Sequence, residues 1–320
     1  MLDLKSSTLS TPFARDVVAG LSQPRKVIPA RYFYDRRGSE LFEEITRLPE
    51  YYPTRTEIEL LERHGGDIAR LTGKRRVVVE FGSGSSTKTP LLLACVDPAA
   101  YVPIDISADF LRESAAVLAA QHPGLEVLPV AGDFTRPLAL PRQLRDRPML
   151  GFFPGSTIGN LDPAAAVDLL RAFRATLGDE ARLVIGIDLR KNPRLLEAAY
   201  DDSAGITAAF NLNLLDRLNR ELGGDVPVEA FEHRATWNDA LGRIEMHLVA
   251  QRDLAFSVAG RRFTMAAGET IHTENSHKYT LEEARLLART SGWTPLAAWT
   301  DAQAMFSLHV WGAAPEQLQP

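Results

Sequence analysis

The sequence predicts an α/β protein: an open, mainly parallel sheet whose closing strands are delayed by an inserted α+β block. Three observations carry this. Strand-like and helix-like segments alternate from Val77 to Asp188. A stretch with period-two patterning, Phe231–Thr264, breaks the alternation. Two strand segments with a short connection, Trp293–Trp299 and Met305–Trp311, come last and must pair antiparallel.

The elements follow in order. Residues 1–55 hold helical pieces around an aromatic segment, Arg31–Gly38. Thr54-Arg-Thr-Glu57 reads as a capping box opening a helix that stops at Gly65-Gly66. Val77-Val-Val-Glu-Phe81 is a buried first strand, broken by Gly82-Ser83-Gly84 before helical sequence resumes. Glycines there let backbone approach a ligand at the strand's carboxyl end. A dinucleotide fingerprint would place a third glycine where Thr87 stands. The second strand, Ala100–Ile106, carries Asp105, about 20 residues past Gly82, the spacing of a ribose-binding carboxylate. Leu125–Val130 is predicted as the third strand, followed by Gly132-Asp133-Phe134. Met149–Phe153 and Ala181–Asp188 are the fourth and fifth. Between them Asp162 is a suitable N-cap, Pro163 a first helical residue and Gly178 a stop. A long helix is expected over Ala204–Leu222, then antiparallel strands turning at Asn238–Gly242. A second capping box, Thr280-Leu-Glu-Glu283, opens a helix ending at Gly292. The expected division is 1–55 and 193–277 for a substrate-binding domain, 56–192 and 278–320 for the sheet domain. Ala314–Pro320 reads as a loose tail.

Composition narrows the function. The chain is 45% hydrophobic and 24% charged, values of an ordinary globular protein. A net charge of −5 offers no footprint for nucleic acid. No apolar run reaches membrane-spanning length, and the opening Met-Leu-Asp-Leu-Lys-Ser-Ser lacks a signal-peptide core. A single cysteine, Cys95, excludes an internal disulfide and suits a reducing cytoplasm; its apolar neighbours suggest an inert core thiol.

Further polar candidates stand outside the first loop. Asn160, closing Gly155-Ser-Thr-Ile-Gly-Asn160, offers a donor and an acceptor to an amine or carboxylate, or else completes a turn. In Ile271–Tyr279, extended backbone would put His272, Glu274 and Ser276 on one face, where a carboxylate and a hydroxyl can address opposed nitrogens of a small heterocycle. A metal on His272, Glu274 and His277 is disfavoured, since the two histidines would point to opposite faces. The remaining histidines, 64, 122, 233, 247 and 309, are scattered and read as surface or core fillers. Tyr34, Tyr51 and Tyr200 are packing residues or uncharged partners for an amine.

Phe33-Tyr-Asp, Leu48–Glu57, Glu80-Phe-Gly-Ser-Gly84, Gly155–Asn160, Ala199-Tyr-Asp-Asp202 and Arg243-Ile-Glu-Met246 occur in one order. On these motifs the chain, from about Ala14 to Trp311, resembles the histidine-specific Nα-methyltransferases of ergothioneine biosynthesis. The resemblance implies a class I S-adenosylmethionine-dependent methyltransferase fold, a Rossmann-like sheet with a terminal antiparallel hairpin, plus an α+β substrate-binding domain. It implies trimethylation of L-histidine to hergynine, with S-adenosylmethionine as cosubstrate and no metal. By the same resemblance Gly82, Ser83, Gly84, Lys88, Asp105, Asp133 and Phe134 contact the cofactor, Lys88 through its methionyl carboxylate. Tyr51, Asn160, Tyr200, Met246, Glu274 and Ser276 bind the amino acid, Asn160 and Tyr200 through its α-amino and carboxylate groups and the last two through the imidazole. Tyr34 and Asn160 are the expected catalytic pair. Some family members carry Val and Cys around the Glu and Ser, where this chain reads His-Thr-Glu-Asn-Ser-His. Alternatives are an Nα-methyltransferase for another aromatic amino acid, such as tryptophan, and a cofactor-binding regulator without turnover. A monomeric cytoplasmic enzyme is expected, with no nucleic-acid or membrane partner.

Overall fold

The structure is a computed structural model describing residues 11–84, 88–106, 108–144 and 146–313, apart from the side chain of Asp109. Thr87 and the Ala314–Pro320 tail lie outside the described residues. The chain divides into two compact units. The first comprises Met1–Tyr52 and Lys191–Ser276, the second Pro53–Arg190 and His277–Pro320.

In chain order, α1 (Pro12–Leu21), β1 (Lys26–Val27) and α2 (Arg36–Ile45) precede α3 (Tyr52–Thr72). Then come β2 (Val77–Phe81), α4 (Thr89–Val96), β3 (Ala100–Asp105), α5 (Ala108–Gln121), β4 (Val130–Ala131), β5 (Met149–Phe153), α6 (Pro163–Leu177) and β6 (Arg182–Asp188). The insertion holds α7 (Pro193–Tyr200), α8 (Ile206–Leu222), β7 (Phe231–Asn238), β8 (Arg243–Ala250), β9 (Leu254–Val258), β10 (Arg261–Met265) and β11 (Thr270–His277). The chain closes with α9 (Leu281–Thr290), β12 (Thr294–Thr300) and β13 (Phe306–Gly312).

The second unit is a seven-stranded sheet in the order β12-β13-β6-β5-β2-β3-β4. The strands from β2 to β6 pair in parallel, and β13 pairs antiparallel with both β6 and β12. A lone antiparallel strand slotted beside the last parallel one is the class I methyltransferase arrangement, as the terminal hairpin predicted. Apolar β2 and β5 are buried along their whole length because helices cover both faces. Phe81, Phe153, Phe173 and Trp311 fill one side. Leu60, Val78, Phe152, Val184 and Phe306 fill the other. Local signals set the ends of the helices. Pro163 starts α6, and Gly178 stops it at φ 87°. Thr280 and Glu283 form the expected reciprocal box on α9.

Two expectations need correction. The strand predicted over Leu125–Val130 shrinks to Val130–Ala131, with an isolated bridge from Val127 to Tyr101. Pro129 has no N–H to give the ladder, and this is the edge of the sheet. The α3 helix does not stop at Gly65-Gly66 but continues to Thr72. A Cβ on Gly65 would lie 2.3 Å from Cys95 Sγ, so this glycine is where α4 meets α3 rather than a terminus.

The first unit carries a four-stranded sheet, β1-β11-β8-β7, and a separate β9–β10 hairpin. On β7, Phe231, His233 and Ala235 are buried while Glu232 and Arg234 are exposed. Ala235 pairs directly with Met246 of β8, so both point to the buried side. The period-two patterning of the sequence is this alternation.

Candidate active site

All parallel strands of the second unit end at one edge of its sheet, which gathers the loops after β2, β3, β4 and β5. Gly82 and Gly84 have φ of 72° and 45°. A Cβ on Gly82 would sit 3.4 Å from the Phe134 ring, whereas one on Gly84 would meet no atom of the described residues within 4 Å. The turn is therefore bare backbone packed on one side and open on the other. Gly82 N and Ser83 N donate to Ile104 O at 2.9 and 3.2 Å. Gly84 N donates to Asp105 Oδ2 at 3.4 Å. The carboxylate at the end of β3 is thus tied to the glycine turn. Asp133 Oδ1 accepts from Thr135 N at 3.0 Å and Thr135 Oγ1 at 2.6 Å, an Asx-type turn after β4. Phe134 packs edge-on to Phe81 and Phe153, with centroids 6.3 and 6.1 Å away.

Beneath this loop lies a polar group that the sequence did not announce. Glu57, expected to cap a helix, is buried inside α3. Its Oε2 accepts from Lys88 Nζ at 2.5 Å and from Gly155 N at 2.8 Å. Its Oε1 is buried with no hydrogen-bond partner among the described residues, above Gly186, where a Cβ would come within 2.0 Å of it. Lys88, read as a cofactor ligand, is turned onto this carboxylate. The available signal was helical spacing: Glu57 falls on the apolar stripe of Leu60, Leu61 and Ile68. Glu80, also buried, accepts from Thr89 Oγ1 at 2.7 Å and Tyr101 OH at 2.6 Å. Burial pushes its carboxyl up to about 7.

The loop after β5 turns tightly. Gly155 and Ser156 have φ of 79° and 57°, and Thr157–Asn160 forms a 3-10 turn. Ser156 Oγ accepts from Asp188 N at 2.9 Å. A Cβ on Gly159 would lie 2.7 Å from His277 O, so only glycine fits there. Asn160 ends the turn, half-buried.

In the first unit the expected tyrosines come together. Tyr34 meets Phe42 edge-on at 5.7 Å, Phe42 meets Tyr51 at 6.2 Å, and Tyr51 meets Tyr200 at 6.2 Å. Phe42, which links them, was not a sequence candidate; its signal was position on the strongly amphipathic α2. Tyr34 is 42% exposed, whereas Tyr51 and Tyr200 are buried. Tyr200 OH and Ser276 Oγ share a 2.7 Å hydrogen bond. Behind it, Asn211 Nδ2 donates to His233 Nδ1 at 2.8 Å, and His233 Nε2 donates to Tyr200 O at 2.8 Å. Burial holds His233 below the usual imidazole range, consistent with this neutral tautomer. Thr273 Oγ1 donates to Met246 O at 3.1 Å, joining β11 to β8.

The one-face expectation fails for His272 and Ser276. Ser276 turns to Tyr200, whose carbonyl meets His233 on the Met246 side of the sheet. His272 instead stacks on His247, the neighbour of Met246 and so on the opposite side. The alternation of burial along β11 breaks at Glu274 and Asn275, both half-buried. His277 does not join His272; its Nε2 lies 3.6 Å from Asp162. Of the scattered histidines, His233 and His309 are core residues as expected, whereas His247 belongs to a cluster with His272 and Glu245. No described helix is long and apolar enough to cross a membrane.

Known proteins place this arrangement. A histidine N-alpha-methyltransferase of Mycolicibacterium smegmatis is 41% identical over 311 residues, covering 95% of this chain and 96% of that protein. Ergothioneine biosynthesis protein 1 of Neurospora crassa is 32% identical over 289 residues, 87% of this chain but 32% of its own length. A 4-dimethylallyltryptophan N-methyltransferase of Claviceps purpurea is 25% identical over 328 residues, 94% of this chain and 95% of that protein. The family profile described as "histidine-specific methyltransferase, SAM-dependent" matches residues 13–313. The chain belongs to the histidine-specific, S-adenosylmethionine-dependent methyltransferase family.

Proposed function

We propose that the protein methylates the α-amino nitrogen of L-histidine three times, giving hergynine, the first intermediate on the way to ergothioneine. The observation that carries this reading is the Tyr200–Ser276 hydrogen bond at the end of β11, two residues from Glu274. It places a serine hydroxyl against a tyrosine hydroxyl two residues from Glu274, and a hydroxyl and a carboxylate are partners that an imidazole's two nitrogens can use. Full-length similarity to a histidine N-alpha-methyltransferase supports the same substrate.

The residues of the second unit fit S-adenosylmethionine. The open side of the Gly82–Gly84 turn accepts a ligand against bare backbone, Asp105 offers its carboxylate to a ribose diol, and Phe134 offers a ring face to adenine. Asp133 would take the adenine amino group, with Ser83 lining the turn. Lys88 would give its ammonium to the methionyl carboxylate while Glu57 holds it in place. The bound sulfonium supplies an electrophilic methyl. The chain's own work is to position the acceptor and keep its amine unprotonated. Asn160 and Tyr200 would hold the α-amino and carboxylate groups, with Tyr51 near the bound amino acid and Tyr34 lining the same pocket. Glu274 and Ser276 would grip the imidazole, with Met246 packed beside it. Orientation is the main rate term expected. We further propose that the enzyme acts as a cytoplasmic monomer without nucleic-acid or membrane partners. Incubating the purified protein with S-adenosylmethionine and an equimolar amino-acid mixture, followed by mass spectrometry, should show histidine alone trimethylated on its α-nitrogen. Dominant methylation of tryptophan, or of an imidazole nitrogen, would overturn the assignment.

A further inference from the structure

Glu245 and His247 stand two residues apart on β8 and share the face opposite Met246. His272 comes from β11, the neighbouring strand. Its ring stacks on His247 with centroids 4.9 Å apart and 26° between planes. One ligand atom from each of Glu245, His247 and His272 can be chosen so that all lie within 4.8 Å of one another. Residues at i and i+2 on one strand plus one on the next, all on one face, form a compact triangle because strands are spaced about 4.8 Å apart. Three protein ligands of this kind hold a metal and leave a further position open.

The surroundings orient each ligand. Arg243 Nε and Nη2 reach Glu245 Oε1 at 2.8 and 2.7 Å, and Asn238 Nδ2 reaches the same oxygen at 3.1 Å. That leaves Oε2 facing His247 Nε2, 3.3 Å away. His272 Nε2 donates to Glu274 O at 3.0 Å, which fixes the tautomer and leaves Nδ1 with a lone pair. A metal-bound histidine characteristically gives its other N–H to a backbone carbonyl or carboxylate in this way. The Nδ1 of His247 is buried and has no hydrogen-bond partner among the described residues.

We propose that Glu245, His247 and His272 form a binding site for a divalent transition-metal ion of the zinc class. Two imidazoles and one carboxylate favour such ions over magnesium or calcium, which take oxygen ligands. The site is separate from methyl transfer, because its side chains face away from Met246. Its effect would be to clamp β8 to β11.

Chelator-treated full-length protein titrated with zinc sulfate in a calorimeter should bind one equivalent. Cobalt(II) in its place should give visible absorption bands of a low-coordinate complex, discharged by added zinc. His247→Ala and His272→Ala should each weaken zinc binding about tenfold or more, and zinc should raise the melting temperature of the parent protein but of neither variant. Circular dichroism of the metal-free variants controls for folding. Absence of saturable binding, or equal binding by the parent and both variants, would overturn the proposal and leave the cluster as a hydrogen-bonded network.

Discussion

Two carboxylates in this protein illustrate what burial does to one side chain. Glu57 has a cation, Lys88, against it, whereas the hydrogen-bond donors to Glu80 are the hydroxyls of Thr89 and Tyr101. The Glu80 carboxyl accordingly titrates near 7 in the folded chain against 4.5 when exposed. A raised pKa means that folding favours the protonated form. The stabilisation is complete below about 4.5 and is lost as pH rises through about 7, a difference of about 3 kcal/mol. Glu80→Gln keeps an acceptor but cannot ionise. It should be more stable than the parent at pH 8, by up to that amount, and gain nothing at pH 4.5. Urea unfolding at both values tests this; an equal difference at the two pH values would refute it. Glu274 is predicted to set substrate choice. Glu274→Ala should raise KM for histidine at least about tenfold, the loss of a charged hydrogen bond, and leave KM for S-adenosylmethionine nearly unchanged. An unaltered preference for histidine over tryptophan would make Glu274 structural.

Elements are decided by neighbours as much as by their own residues. The α3 helix runs through two adjacent glycines, each costing about 1 kcal/mol relative to alanine. It survives because its apolar stripe is buried, and because Gly65 lets the Cys95 sulfur approach. Gly65→Ala should therefore destabilise despite its better helix propensity, by about 1–3 kcal/mol of overpacking. Adding Cys95→Ala should recover most of the loss, since the sulfur is the atom met at 2.3 Å. A double-mutant cycle by chemical denaturation measures this coupling, and additive losses would show that the contact is not the cause. The shortened β4 makes the same point in reverse. Leu125–Val130 has strand composition, yet Pro129 limits what the edge of the sheet can pair.

At the scale of the whole molecule, the second unit is made from two stretches of chain separated by the 191–276 insertion. Its two ends are stitched where the chain departs and returns. Tyr279 N donates to Asp188 O at 3.1 Å and Arg190 N to Tyr279 O at 3.0 Å. Lys278 Nζ pairs with Asp188 Oδ2 at 2.6 Å, both side chains fully buried. Removing one member of a buried ion pair costs about 3–5 kcal/mol, because the remaining charge stays desolvated. Lys278→Met should lower stability by that much, and Asp188→Asn with Lys278→Met should lose clearly less. Equal losses for the single and double variants would place the effect elsewhere than in the pair.

The parallel sheet, its terminal hairpin, the inserted antiparallel block and the glycine turn with Asp105 were legible in the sequence. Each depends on local patterning: period two, helix caps, and glycine where backbone must lie bare. The carbonyl-to-imidazole support under Tyr200, the role of Phe42 and the partners of Glu57 were not legible. They join residues far apart in the chain: helical spacing put Glu57 on the apolar stripe of α3 but could not name Lys88 and Gly155 as its partners. The sequence by itself determined most of the strands and helices, though not the extent of β4 or the end of α3, and which residue types stand at the strand ends. Tertiary structure alone decided where Lys88 points, which side of β11 presents Ser276, and that His247 meets His272. Those outcomes depend on register between strands, and a shift of one residue would reverse every face.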